Sequence, residues 1–234
     1  MEGFAFLLKK CFNPIPVIFD SKYDELEIIG FDLFTGMYNV RYFAVYRRPT
    51  FDSVAVSYMT DLLDCLSVYG SVNRTVVIVG DFNLPKIDWD SYTGPSDTIH
   101  QMFVSFVVHS GLTQLINFKT HETNILDLLI CNDVNYISRL QSDVPFGTSD
   151  HATITFNMFF FQKTTAVVSV SSKVVKLFIN GTMPTSQELN VFYPAFTGLL
   201  FSVFTLQFMK CGMLLCQSYY WLLIRMFLGL RVDT

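Results

Sequence analysis

At 234 residues the chain can hold one large domain or one and a half smaller ones. Hydrophobic residues make up 51% and charged ones only 15%, and the net charge of −4 excludes the global basic field that drives non-specific nucleic-acid binding. The five cysteines (Cys11, Cys65, Cys131, Cys211 and Cys216) are odd in number and lack zinc-ligand spacing, which suits a reducing, intracellular setting, nuclear or cytoplasmic.

Phe4 to Leu8 reads as a strand with no preceding partner, too brief an apolar run for a signal peptide. Tyr23 to Phe31 alternates as a strand with one wet face. Asn39 to Tyr46 reads likewise, with Val40, Tyr42 and Ala44 on one side and Arg41, Phe43 and Val45 on the other, and Pro49 stops it. Arg41, Arg47 and Arg48 make the concentrated basic spot near that end, expected to be solvated. From Ser53 to Tyr69, Val56, Met59, Leu62 or Leu63, Leu66 and Tyr69 recur at helical spacing, and Gly70 follows as a stop.

Val76 to Val79 is a run of four β-branched residues, expected as a strand buried on both faces in mid-sheet. Gly80 lets the chain turn there, and Asp81 and Asn83 follow at one rim. Pro85 to Pro95 is a loop carrying Trp89, and a second helix spans about 97–110, with Ser96 or Asp97 as its cap and Gly111 beyond its end. Its apolar face is Ile99, Met102, Phe103, Phe106 and Val107. Ile125 to Cys131 is an apolar strand interrupted by Asp127, a carboxylate that needs a histidine or arginine partner because burying it alone costs several kcal/mol. Thr148 to His151 leads into a last strand, Ala152 to Phe156. Interleaved strands and helices give an α/β pattern over about 4–160, with hairpin-like neighbours that imply a mixed sheet.

The polar residues that break these apolar runs suit one chemistry. A hard cation such as Mg2+ takes one or two carboxylates and leaves room for phosphate oxygens. An imidazole held by a second carboxylate is fixed in tautomer and can move a proton. Together they suit attack of water on a phosphodiester.

The order Tyr46-Arg47-Arg48-Pro49, Gly80-Asp81-Phe82-Asn83, Ile125-Leu126-Asp127 and Ser149-Asp150-His151 resembles the endonuclease/exonuclease/phosphatase superfamily, deoxyribonuclease I-like. Leu84 to Trp89 and Ser110 to Leu115 resemble the endonuclease domain of non-LTR (LINE-type) retrotransposons in particular. The resemblance covers about 4–158 and implies a four-layer α/β/β/α sandwich with its active site at one rim of two packed sheets. It also implies Mg2+-dependent cleavage of DNA, with no small-molecule cofactor. On that reading His151 is the acid–base group, Asp127 orients it, and Asp81 positions or deprotonates the attacking water. Asn83 holds the phosphate, Asp150 belongs to the metal shell, and Tyr46 supports the phosphate or transition state.

Two departures set further expectations. The family's first strands, ending in Asn and in the metal-binding Glu, have no counterpart before Phe4, so the domain is expected to be N-terminally truncated, to bind Mg2+ weakly and to cleave little or nothing. Of 16 basic and 20 acidic residues, only Lys173, Lys176, Glu188, Lys210, Arg225, Arg231 and Asp233 lie in 164–234. The expected division is therefore a nuclease-like domain over 1–160, a linker over 161–190 and an apolar tail over 191–230. That tail is either helical and membrane-associated, for which its first uncharged run is nearly long enough, or translated out of frame. The alternative function is a membrane-associated, non-catalytic scaffold that keeps the nuclease-like fold; a phosphoesterase of small molecules or lipids fits the Trp89 loop less well.

Overall fold

The computed structural model describes residues 6–9, 14–34, 39–145, 149–163, 168–177 and 219–222, with side chains over 14–34, 39–145 and 149–158. Its centre is a six-stranded mixed sheet. In chain order its strands are β2 (Ile15–Pro16), β3 (Ile28–Phe34), β4 (Asn39–Tyr46), β5 (Thr75–Asp81), β6 (Thr113–Gln114) and β7 (Asp127–Cys131). Across the sheet they run β2-β3-β4-β5-β7-β6. β4 and β5 are parallel, joined by the helix α1 (Ser53–Gly70), while β5 and β7 are antiparallel. The end of β4, the end of β5 and the start of β7 therefore share one edge.

The sheet is buried on both faces. Val76 and Ile78 join Phe43, Val45, Leu128 and Ile130 in a core beneath α1 and α2 (Thr98–His109). Val77 and Val79 join Val40, Tyr42, Leu129 and Cys131 in a second core, closed by Ile137, Ile154, Phe156 and Met158. Those closing residues come from a second sheet of β8 (Ile137–Asp143), β9 (Thr153–Lys163) and β10 (Val168–Leu177), in the order β10-β9-β8. The described residues thus form three layers, α/β/β, rather than the four expected; no outer helix layer is among them.

Three expectations change. β3 has no wet face, because Glu25 and Glu27 precede it and its own charge, Asp32, is buried against Arg41 at 2.7 and 2.8 Å. The span 161–190 is not all linker: β9 runs on to Lys163 and β10 pairs with it antiparallel along its length. The strand expected at Phe4 to Leu8 is Phe6–Lys9 (β1), and it has a partner, Tyr219–Leu222 (β11), inside the apolar tail. The rest of 191–230, and with it the expected helical or membrane-associated tail, lies outside the described residues. No helix among the described residues is long and apolar enough to cross a membrane.

Both helices start on aspartates. Asp52 accepts from Ala55 N and Asp97 from His100 N, occupying main-chain donors that the first turn leaves free. α2 ends at His109, with Ser110 as its cap and Gly111 beyond, whose φ of +64 suits glycine.

Candidate active site

Strand alternation aims the site. Val77 and Val79 face the second sheet, so Asp81, two further on, projects to the rim between the sheets; Asp127 does the same from β7, in step with Leu129 and Cys131. The two aspartates are register partners. Phe82 N donates to Leu126 O at 2.9 Å, which puts Asp81 and Asp127 at the adjoining position, where facing side chains come closest. Gly80 makes the close packing there possible: its φ is +154, and a Cβ would sit 1.8 Å from Val45 O. His151 enters from the other layer, just before β9.

Asp127 is 0% exposed. Its main-chain N–H and that of Leu126 both donate to Thr120 Oγ1 at 3.0 Å, and its Oδ2 accepts from His151 Nδ1 at 2.7 Å. The partner that the buried carboxylate required is thus histidine, not an arginine such as Arg139. Asp127 Oδ1 is buried and has no hydrogen-bond partner. Burial opposes a proton on His151, but the bond and charge of Asp127, with Asp81 behind it, raise the imidazole pKa above its ordinary value. Burial, then the charge of Asp127, pushes the Asp81 carboxyl up to about 7. One donor atom from each of Asp81, Asp127 and His151 lies within 4.8 Å of the others.

Asn83 adopts φ 51, a left-handed conformation that asparagine tolerates. Its side-chain N–H groups are both used, to Asp81 Oδ2 at 2.9 Å and to Arg47 O at 2.8 Å. In this arrangement it orients Asp81 and has no N–H left for the phosphate it was expected to hold. Tyr46 ends β4 opposite Asp81, half-buried. Asp150 stands outside the buried group: it is 76% exposed and accepts from His121 Nε2 at 3.1 Å.

Two features were not foreseen. Arg47 is 1% exposed, not a solvated strand end. It donates to Arg48 O at 2.6 Å and Thr50 O at 2.8 Å, and lies 5.0 Å from the Phe51 ring, while its main-chain N–H donates to Asp81 O at 2.9 Å. Arg48 remains exposed and pairs with Glu27. His121 is the other. A turn from Thr120 to Asn124, tied to the last strand by Ala152 N donating to Thr120 O at 2.7 Å, sets its ring 4.6 Å from that of His151. The visible signal was Thr120-His121 shortly before Asp127, one of only four histidines in the chain.

Residues 40–155 match a family model described as endonuclease-reverse transcriptase. Among solved structures the chain is similar to the endonuclease domain of TRAS1, a telomere-specific non-LTR retrotransposon, at 20% identity over 56% of this chain and 63% of that one, with a TM-score of 0.45. It is similar too to the 3′ phosphatase NExo from Neisseria bound to a product DNA hairpin, at 14% identity over 62% and 72%, TM-score 0.47. An AP endonuclease from Archaeoglobus fulgidus follows at 12% identity over 60% and 69%, TM-score 0.45. No curated protein matches the chain. Residues 40–155 thus form an endonuclease-reverse transcriptase domain of the endonuclease/exonuclease/phosphatase superfamily.

Proposed function

We propose that the rim is a phosphodiester-handling site for DNA, and that this 234-residue chain cleaves weakly or not at all. The observation that carries the first half is the 2.7 Å bond from His151 to the wholly buried Asp127, beside Asp81. It favours a proton on an imidazole placed to serve an oxygen that leaves or attacks phosphorus. Asp81, with its carboxyl pushed up to about 7, is matched to accept a proton from water near neutral pH. Asn83 holds Asp81 in place, and Tyr46 flanks it.

A hard divalent cation fits this group, since Asp127 Oδ1 is buried without a partner, and burial with the facing charge of Asp127 outweighs the bonds that favour the Asp81 carboxylate. When bound, Mg2+ would be held by Asp81 and Asp127 and would offset charge developing on the phosphate. Retention should be poor. Both Asp81 oxygens already accept from Asn83, and Asp150 is bonded to His121 instead. Among the described residues, no further acid joins Asp81, Asp127 and His151 within 4.8 Å of all three.

Two measurements separate the halves of this reading. Titrating a short DNA duplex with Mg2+ should shift the His151 ring resonances and leave those of His100 in place; an unmoved His151 removes the site. Supercoiled plasmid with Mg2+ should be nicked slowly if at all, and robust nicking abolished by His151→Ala would overturn the weak-cleavage half alone.

A further inference from the structure

A second cluster shares His151 but faces outward. One donor atom from each of His121, Asp150 and His151 lies within 4.8 Å of the others. Main-chain bonding fixes the two histidines side by side: His121 and His151 form an isolated antiparallel bridge, and the Thr120–Asn124 turn closes through Asn124 N donating to His121 O at 2.8 Å. Their rings are inclined at 42° rather than stacked flat. Asp150 reaches across to His121 Nε2 at 3.1 Å.

We propose that His121, His151 and Asp150 form a site for a borderline transition-metal ion of the Zn2+ class, separate from any Mg2+ at the inner carboxylates. Two imidazoles and one carboxylate are the donors such ions select, whereas Mg2+ and Ca2+ select oxygen alone. The support expected behind a metal-bound histidine is already built. His151 Nδ1 is tied to Asp127, which fixes the ring and leaves Nε2 as its available donor. Ligands of tetrahedral zinc sit roughly 3.4 Å apart at bond lengths of about 2.1 Å. The three donor atoms already lie within 4.8 Å of one another, and Asp150, with its side chain 76% exposed, can turn onto an ion held by the two imidazoles. The His121 side chain is 21% exposed, so an ion can enter from solvent and keep a position open for water or a phosphate oxygen.

The consequence for the rim follows from the shared ring: an imidazole bound to metal through Nε2 cannot give or take a proton there. Occupancy and phosphodiester chemistry at His151 exclude one another. This consequence rests on the function proposed above, but the binding claim does not.

Co2+ is the probe that tests binding without activity. One equivalent should give visible d–d absorption without the near-ultraviolet band of a thiolate–cobalt bond, and excess Mg2+ should not abolish it. That control matters because Cys65 and Cys131 are buried free thiols, and Cys11, Cys211 and Cys216 lie outside the described residues. His121→Ala should weaken the affinity by at least about tenfold, and Asp150→Asn, at an exposed side chain that cannot disturb the core, by several-fold or more. Affinity within twofold of the parent in Asp150→Asn and His121→Gln, a thiolate band on the bound cobalt, or no binding at millimolar metal would each overturn the site.

Discussion

Two Asp–His pairs in this chain share one hydrogen-bond length, 2.7 Å, and almost nothing else. In His151–Asp127 the carboxylate is the more buried member, at the end of a central strand with a second carboxylate facing it. In His100–Asp97 the carboxylate is 46% exposed and caps a helix, while the imidazole is the buried member, stacked on Phe51 at 5.4 Å with its Nε2 lacking a partner. The contrast decides which group shifts. A carboxylate shut away from water draws the proton onto His151, whereas at the cap burial is outweighed by the bonds from His100, which hold the Asp97 carboxyl below its ordinary value. A short Asp–His bond is therefore not evidence of a site. The location of the buried charge is.

The comparison breaks most visibly at Asp127. Asp127→Ala should cost about 3–5 kcal/mol in urea denaturation, because it strands a buried imidazole. In the milder Asp127→Asn, the His151 pKa followed by NMR should fall from its raised value to below 6.5. Since the folded pKa of His151 lies above the unfolded one, the stability from this pair is complete below pH 6.5 and fades as pH rises through the folded value.

Asp81 should lose stability with rising pH in the same sense, over a lower and wider window. Its folded pKa of about 7 exceeds the ordinary 3.8, so the folded state holds the proton more tightly, and stability is lost as pH climbs between those values. Asp81→Asn should thus stabilise the fold at pH 8 by on the order of 2 kcal/mol and change it little at pH 4, read by thermal melts at both. An equal effect at the two pH values would mean that packing, not charge, governs the position.

The cap should give the smallest effect. Asp97→Ala should cost about 1 kcal/mol, through the lost bond to the main-chain N–H of His100, and should leave the titration of His151 unmoved. A shift at His151 would show that the two pairs are coupled and the contrast false.

Much of the inner sheet was readable in the sequence because each rim residue interrupts an apolar run. Thr75–Asp81 announces itself by four apolar β-branched residues, Val76 to Val79, and Asn39–Tyr46 by clean alternation before Pro49. Asp127 stands out as the one charge in its strand, and its need for a partner follows from burial alone. What stayed hidden depends on contacts between distant segments. The wet face expected for the Tyr23–Phe31 strand is absent, because the strand begins after Glu27 and its own charge, Asp32, meets Arg41 on the neighbouring strand. Arg47 looked solvated because its partners are main-chain carbonyls of its own following loop, which leave no side-chain pattern. His121 reaches the rim through the turn after Thr120 and a bridge to residue 151, and Asp150 then pairs with it and not with the buried acids. β10 falls in the span read as a linker, and its pairing with β9 is a contact that span does not announce.

The alignment of Asp81 opposite Asp127 makes the rim far more sensitive to chain length than to side-chain identity. Side chains in a strand change face every residue, so deleting one position within β7 would bring a leucine to face Asp81 and swing the aspartate into the helix-side core. Insertions in the exposed stretch around Asp90 and Ser91 have no such lever on the pairing. Frame-preserving single-codon losses in 127–131 should therefore be among the most damaging lesions that this segment can suffer.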